Sequence, residues 1–215
     1  MNKLTKKIYY KRLLPHYQID DMFYFITFRL AFQLPDLVLN KLKKDTEDYN
    51  FIINKLNKDD QKDYKKQFFK HKFEYIDTIL DNNISKNHFL SIPSIAEIVK
   101  DTLHFFDNKK YELICYCIMP NHIHLILRIL KDEKDNEFSL SSIMHSIKSF
   151  TSTKCNEYLN RKGQFWYHEN YDHIIRNEEE FYGYIMYTIN NPVKAKLILN
   201  WEDWEHTYVS KKYME

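Results

Sequence analysis

Two histidines separated by one residue, His122 and His124, have the spacing of a metal site. They open an alternating run, 122–129, and side chains two apart on a β-strand point to the same face. Both imidazoles therefore project together, as a two-nitrogen site for a divalent ion requires. The alternative is two unrelated histidines on a half-exposed strand. Position 126 is isoleucine, so the H-x-H-x-D pattern of some hydrolases is absent.

A tyrosine and an asparagine further along the chain complete the candidate chemistry. The helix we expect there has an apolar residue at every fourth position: Phe181, Ile185 and Ile189. At about 100° per residue, Tyr187 points nearly opposite this stripe, toward a cleft in which it is a candidate nucleophile. Asn191 follows four residues later on the same face, so its amide oxygen is a candidate metal ligand.

Two alternatives to this nucleophile remain open. Tyr184 lies one turn earlier and is a second candidate, although its position beside Ile185 predicts that it is partly buried. The chain has 17 tyrosines, so Tyr187 is otherwise interpreted as a surface residue without a role.

The elements that position these residues follow from the sequence periodicity. Period-two runs predict strands at about 22–30, 111–118, 122–129 and 165–175, and helical spacing predicts helices near 93–106, 139–162 and 177–191. The first six elements have the βαββαβ order of ferredoxin-like α+β folds, an antiparallel sheet with two helices on one face. The last helix is an addition to that unit and carries Tyr187 toward the face left for a site.

The remaining segments are additions to one predicted domain of residues 1–215. Residues 1–19 form a basic N-terminal arm. Residues from about 36 to 80 have the pattern of two charged amphipathic helices, a helical insertion between the first strand and the first core helix. We expect the final twenty residues to pack back as irregular structure.

The clustering of basic residues indicates a nucleic-acid-binding protein more strongly than the net charge of the chain does. Lys and Arg number 32 against 30 Asp and Glu, a formal net charge of +2. The first twelve residues, however, contain five basic residues and no acid: Lys3, Lys6, Lys7, Lys11 and Arg12. Such an arm is typical of phosphate contact, and we expect residues 1–12 to lack fixed structure without DNA. A solubilising tail is the alternative. Arg128, Lys148 and Lys154 are further candidate DNA contacts.

Composition excludes several other classes. The chain has only two glycines, too few for a P-loop or a G-x-G-x-x-G fingerprint, so we expect no nucleotide triphosphate site. The C-x-C spacing of Cys115 and Cys117 does not match a zinc knuckle, and reduced thiols suit a cytoplasmic protein. No signal peptide or run of about 20 apolar residues is visible, and we expect no membrane partner.

Two motifs make the sequence recognisable. Residues 118–125 read I-M-P-N-H-I-H-L and residues 187–195 read Y-T-I-N-N-P-V-K-A. Together they strongly resemble the single-tyrosine HUH transposases, in particular the REP-associated tyrosine transposases of the IS200-like family. The segments 23–30, 147–151 and 165–176 fit the same pattern, so the resemblance covers about residues 12–208. One departure is Lys196, where relatives usually have glycine.

The resemblance implies a function and a role for each motif residue. It implies that His122 and His124 hold Mg²⁺ or Mn²⁺, that Asn191 supplies the third ligand, and that Tyr187 is the nucleophile. The implied activity is cleavage and strand transfer on single-stranded or hairpin DNA through a 5′-phosphotyrosine, by a monomer or a homodimer. The alternatives are a catalytically silent hairpin-binding protein, an ordinary metal-dependent hydrolase, and a replication initiator or relaxase.

Overall fold

The computed structural model describes residues 7–11, 15–19, 21–82 and 87–214, in two compact units. The first unit comprises Met1–Ala31 and Asn87–Glu215, and the second comprises Phe32–Lys86. None of the helices in these described ranges is both long and apolar enough to cross a membrane.

The first unit contains seven strands and four helices longer than three residues. The strands are β1 (Lys7–Lys11), β2 (Pro15–Ile19), β3 (Phe23–Arg29), β4 (Tyr111–Ile118), β5 (His122–Ile129), β6 (Tyr171–Ile175) and β7 (Thr207–Val209). The second unit is formed by α1 (Asp36–Ile53) and α2 (Lys58–Asp81). The helices of the first unit are α3 (Pro93–Phe106), α4 (Leu140–Tyr158), α5 (Glu178–Ile189) and α6 (Asn191–Lys194). These counts refer to the described ranges.

A five-stranded antiparallel sheet in the order β6-β3-β5-β4-β7 is the centre of the first unit. Without β7, this is the strand order of a ferredoxin-like fold, with α3 and α4 as its two connecting helices. The α+β fold predicted from the sequence is confirmed. Ser139 and Asn177 cap α4 and α5 as expected, because their side-chain oxygens accept backbone N–H groups of the first turns.

The strand register places the two core helices on one face of the sheet. Tyr111 and Phe28 lie on the same face as Ile123 and Leu125, the residues between and beyond the two histidines. The Tyr111 hydroxyl donates to the Leu103 carbonyl of α3 at 2.8 Å. On the same face, the Phe28 ring packs against Trp166, whose indole N–H donates to Thr151 of α4. The histidines therefore lie on the opposite face, as predicted.

The opposite face is covered by α5 rather than left open. The ring of Phe25, in β3, lies 4.5 Å from the Tyr184 ring and 5.8 Å from the Tyr187 ring, between centroids. Phe23 packs at 4.7 Å against Phe181 of the same helix. Alternate residues of β3 thus form the surface on which the helix with the candidate nucleophile rests.

Two sequence expectations about strands are wrong. The final residues are not wholly irregular: β7 pairs with β4 from Cys115↔Val209 to Cys117↔Thr207 and adds a fifth strand. Its three residues are too few to show an alternating pattern. The strand expected at 165–175 begins only at Tyr171, because Phe165 and Trp166 turn into the core and only Trp166 makes an isolated bridge, to Leu30.

The N-terminal segment also differs from expectation. β1 and β2 form an antiparallel hairpin with register Lys7↔Ile19 to Lys11↔Pro15, so the expected lack of structure is wrong for Lys7–Lys11. The β-branched and aromatic residues at 8–10 favour a strand. Gln18 fastens the hairpin: its amide donates to the Phe138 carbonyl and accepts from the Leu140 N–H. Lys3, Lys6 and Arg12 lie outside the described residues.

The second unit is a helical hairpin with its own small core. Leu34, Val38 and Ile79 are buried together, and the rings of Tyr49 and Phe68 stack 4.2 Å apart between α1 and α2. Asn57 caps α2 by accepting two backbone N–H groups. The helical pattern of this segment thus produces two antiparallel neighbours joined by a four-residue connection.

A half-buried carboxylate fastens the C-terminal segment to the sheet. Glu112 of β4 accepts hydrogen bonds from Arg128, Lys212 and the Tyr213 hydroxyl, all within 2.8 Å. Burial alone raises the pKa of Glu112, but the bonds from Lys212 and Tyr213 and the charge of Arg128 outweigh it and hold that pKa below its ordinary value. The Tyr213 ring in turn packs against Phe181, so this network also supports α5.

We expect Glu112→Gln to lower the free energy of unfolding at pH 7 by about 1.5 kcal/mol, because charged hydrogen bonds are lost. A carboxyl whose folded pKa is depressed stabilises the protein above its unfolded pKa, near 4.5, and loses that contribution as pH falls through the folded value. The difference between wild type and variant should therefore shrink below about pH 4.5 and close as the pH falls through the folded pKa. Urea unfolding across pH measures it, with the exposed Glu133→Gln as control. A pH-independent difference would contradict this linkage.

Candidate active site

The two histidines of β5 form a close, buried pair. Both side chains are fully buried, and their Nε2 atoms are 3.1 Å apart with the rings nearly perpendicular. Metal–imidazole bonds are about 2.0–2.1 Å long, so two nitrogens at right angles around one ion lie about 3 Å apart. The spacing of His122 and His124 therefore fits two neighbouring ligand positions of a single ion.

Each imidazole is held through its other nitrogen. His122 Nδ1 lies 2.6 Å from Asn121 Oδ1, and His124 Nδ1 lies 2.8 Å from Thr27 Oγ1. When these oxygens accept the Nδ1 protons, each Nε2 presents a lone pair to the space between the rings. Such outer hydrogen bonds fix the tautomer and orientation of metal-binding histidines.

Tyr187 of α5 lies directly beside this pair. Its ring centroid is 5.5 Å from that of His124, with the planes nearly perpendicular. The ammonium of Lys194 lies 5.1 Å from the same tyrosine ring. A cation there stabilises negative charge on the phenol oxygen, so the position suits a nucleophile that must lose its proton.

The helix phase does not separate the two tyrosines as the sequence predicted. Phe181, Ile185 and Ile189 are buried, but Thr188 is buried as well, which widens the packed side of α5. Tyr184 and Tyr187 are both partly buried, and both rest on Phe25. The expectation that Tyr187 alone faces an open cleft is therefore wrong. The two tyrosines differ instead in their neighbours: Tyr184 contacts His173, and Tyr187 contacts His124.

Asn191 is fully buried, and neither polar atom of its amide has a hydrogen-bond partner among the described residues. It begins α6 directly after α5, one turn beyond Tyr187. An unsatisfied buried amide costs about 1–3 kcal/mol, and such a group in a folded protein needs an explanation. A ligand that the amide oxygen meets only in the functional complex provides one.

Sequence reasoning missed several residues around the pair. Asn121 is adjacent to His122 in the motif, but its hydrogen bond to His122 depends on the Asn121 side-chain rotamer, which the sequence does not show. Thr27 and Arg29 reach the site only through the β3–β5 register, which places them opposite His124 and His122. Phe25 is fully buried and contacts His124, stacked at 5.5 Å, as well as both tyrosines of α5.

Arg29, which pairs with His122 in the strand register, packs its side chain against a neighbouring loop. Its guanidinium carbon lies 3.9 Å above the ring centroid of Tyr167, and the Tyr167 N–H donates to the Arg29 carbonyl. Burial lowers the pKa of Arg29, although the Tyr167 hydroxyl offsets part of that effect. A guanidinium nevertheless stays charged in proteins. A buried cation is thus held against Tyr167 at the end of β3.

The candidate DNA contacts are not gathered at the histidines. Arg128 lies at the far end of β5 and is paired with Glu112. Lys148, on α4 across the sheet, donates to the carbonyls of Tyr167 and Glu169 and holds their loop. Lys154 is exposed on the same helix and pairs with Glu157. The backbones of Lys7 and Lys11 form part of β1, but their side chains lie outside the described ones.

Comparison with known proteins agrees with this geometry. Residues 86–181 match the family model described as "Transposase IS200 like". That segment contains both histidines and ends before Tyr187 and Asn191. A Haemophilus influenzae protein that bears the name of a REP-associated tyrosine transposase is 20% identical to this chain over 102 residues. The match covers 45% of this chain and 58% of that relative's length.

A solved structure shares the fold. A REP-associated tyrosine transposase bound to a REP hairpin superposes with a TM-score of 0.52 at 16% identity, over 92% of this chain and 80% of that one. The fold is therefore that of a REP-associated tyrosine transposase. Together with the family match, this confirms the resemblance predicted from the sequence.

The buried amide of Asn191 generates a stability prediction. We expect Asn191→Leu to raise the free energy of unfolding in EDTA by about 1–2 kcal/mol, because an unsatisfied buried amide is replaced by an apolar group. Thr188→Val is the matched variant, since Thr188 is also fully buried with an unpaired hydroxyl among the described residues. Urea unfolding measures both. Only Asn191→Leu should also weaken Mn²⁺ binding in calorimetry. A destabilised Asn191→Leu protein would show that the amide has hydrogen-bond partners in solution.

Proposed function

We propose that this chain belongs to the IS200-like transposases and is a metal-dependent endonuclease and strand transferase for single-stranded DNA. The observation that carries the proposal is the position of Tyr187, whose ring lies 5.5 Å from His124 in a pair with facing Nε2 atoms 3.1 Å apart. A tyrosine beside two metal-binding nitrogens provides the parts of a covalent phosphodiester transfer.

The proposed metal ligands are His122, His124 and Asn191, and the proposed ion is Mg²⁺ or Mn²⁺. When bound, the ion withdraws charge from the scissile phosphate and stabilises the charge that develops in the transition state. The histidines are held for this role by Asn121 and Thr27, while the Asn191 amide has no hydrogen-bond partner among the described residues. The donor set of two imidazoles and one amide oxygen suits a divalent ion of this class.

Tyr187 carries the covalent step. Its oxygen forms a bond to phosphorus as the bond from phosphorus to the 3′-oxygen breaks, so the 5′-phosphate stays on the tyrosine. The leaving 3′-oxygen takes up a proton and departs as a hydroxyl. Because the phosphodiester energy is kept in the phosphotyrosine, a second 3′-hydroxyl can reverse the step without a nucleotide triphosphate. The Lys194 ammonium stabilises the phenol oxygen as its proton leaves.

Hairpin DNA is the proposed substrate class. The structurally similar REP-associated transposase is bound to a REP hairpin, and this chain shares its fold. We propose that the chain binds a hairpin and cleaves an unpaired strand next to it. The strand hairpin β1–β2 brings Lys7 and Lys11 to the first unit, where they are proposed to contact phosphates.

The nucleophile is tested with a single-oxygen change. Tyr187→Phe should abolish both strand cleavage and the covalent protein–DNA adduct on denaturing gels, while thermal stability and hairpin binding stay close to wild type. Tyr184→Phe is the matched control, one turn away on the same Phe25 surface, and should keep substantial activity. An adduct that persists in Tyr187→Phe and disappears in Tyr184→Phe would reassign the nucleophile. If the wild-type protein forms no adduct, the proposed activity is wrong and the chain is a hairpin-binding protein without catalysis.

Metal binding is tested with variants of a proposed ligand, His122, and of Thr27, the hydrogen-bond partner of His124. His122→Ala should abolish Mn²⁺ binding in calorimetry and DNA cleavage, and EDTA should stop cleavage by the wild type. Thr27→Val should weaken Mn²⁺ binding by roughly 10- to 100-fold, because it removes only the hydrogen bond that orients His124. His71→Ala, at an exposed position of α2, is the control for a lost imidazole. Full cleavage in excess EDTA would refute the metal proposal.

A further inference from the structure

A third histidine lies on the same face of the sheet as His122 and His124. His173 of β6 pairs with Phe25 of β3 in the strand register, and the Phe25 ring contacts His124 on that face. The His173 side chain is only 15% exposed. Neither the metal binding nor the covalent step of the proposed function uses this imidazole.

The His173 imidazole contacts a carboxylate of α5. Its Nε2 atom lies 3.5 Å from Glu180 Oε2, and the same oxygen accepts the Arg176 backbone N–H at 2.9 Å. Burial alone raises the pKa of Glu180, but the Arg176 N–H and His173 outweigh it and hold that pKa below its ordinary value. Glu180 is therefore a carboxylate at neutral pH, in the first turn of α5, where the helix dipole favours a negative charge.

A tyrosine one turn further along α5 contacts the same histidine. The Tyr184 ring lies 5.0 Å from the His173 ring, between centroids. Glu180, Tyr184 and Tyr187 are separated by four and three residues, so they share one face of the helix. The first two side chains contact His173, and the third contacts His124 at 5.5 Å between ring centroids. Histidines of β6 and β5 thus contact successive turns of α5.

The contacts of Glu180 differ in kind from the apolar anchor of the same turn. That anchor is Phe181, whose ring packs at 4.7 Å against Phe23. Apolar packing is non-directional, so it holds α5 on the sheet without closely fixing the rotation of the helix about its axis. Donors to a carboxylate have a preferred direction, and Glu180 has two of them, His173 and the Arg176 N–H. These contacts therefore restrict the rotation of α5.

We propose that His173 is a positioning residue for Tyr187. It holds Glu180 and Tyr184, which fixes the rotation of α5 about its axis. The Tyr187 ring on the same helix is thereby kept against His124 during the covalent step. Placement matters for the rate, because a shift of about 1 Å can lower a rate roughly a hundredfold. The proposal rests on the proposed function for the role of Tyr187 as nucleophile, whereas the position of its ring is measured without any reaction.

The first measurement uses the Tyr187 ring as the reporter. In protein with isotope-labelled tyrosines, its signals are assigned by their loss in Tyr187→Phe, and nuclear Overhauser contacts with the His124 ring report its position. His173→Phe keeps an aromatic ring beside Tyr184 but removes the nitrogen that contacts Glu180. It should weaken the contacts with His124 and speed hydrogen exchange of the α5 amides by roughly tenfold or more. His173→Gln, which keeps an N–H donor, should restore most of the wild-type behaviour.

The second measurement separates positioning from stability. At saturating hairpin DNA and Mn²⁺, His173→Phe should slow single-turnover adduct formation roughly ten- to a hundredfold, while the affinities for hairpin and Mn²⁺ stay within about twofold. Glu180→Gln changes the partner instead and should have the same effect, and the double variant should be no slower than either single variant. Glu179→Gln, exposed in the same turn, is the control and should behave as wild type.

The outcomes that contradict the proposal are specific. Unchanged contacts of the Tyr187 ring and unchanged α5 exchange in both His173→Phe and Glu180→Gln would overturn it. Equal losses in His173→Phe and His173→Gln would also overturn it, because the N–H donor would then have no part. A wild-type protein without adduct formation would refute the proposed function alone, since the ring contacts and the exchange rates would still decide whether His173 positions Tyr187.

Discussion

The antiparallel pairing of β3 with β5 is the constraint on which the site depends. It sets Thr27 opposite His124 and Arg29 opposite His122, so the register supplies the hydroxyl that anchors the His124 imidazole. A shift of one residue would move each partner to the opposite face of the sheet. Buried apolar residues on the alternate positions, such as Phe28 and Ile123, keep the register where it is.

The sheet places its chemistry on one face and its structural helices on the other. Ile123 and Leu125 pack beneath α3 and α4, while the histidines between and beside them face α5. The hydrophobic core thus fixes the backbone of β5, and the rigid strand fixes the spacing of the imidazoles. A site carried by a strand between two neighbours is positioned more accurately than one carried by a loop. The proposed nucleophile approaches from a separate helix, which the packing of Phe181 and Tyr213 holds in place.

Much of this arrangement was predictable because it rests on short periodicities. The alternation after His122 predicted the strand and the convergence of the two imidazoles, but not that α5 buries the face they share. The caps at Ser139 and Asn177 predicted where two helices begin. What the sequence did not reveal depends on pairing between distant segments. The role of Thr27 requires the register of two strands separated by more than ninety residues, and β7 is too short to show alternation. The apolar stripe of α5 was predicted correctly, but its phase did not separate the two tyrosines. Phe25 lies under both, and helix phase alone does not show what a face packs against.

The shared contact with Phe25 means that packing alone does not distinguish the two tyrosines of α5. Two phenols one helical turn apart rest on the same aromatic ring, so the scaffold supports either with little change in its packing. What distinguishes the two rings is their neighbours: His124 and Lys194 lie beside Tyr187, and His173 lies beside Tyr184. The two histidines have no such freedom, because each depends on a hydrogen-bond partner fixed beside it: Asn121 for His122 and Thr27 for His124.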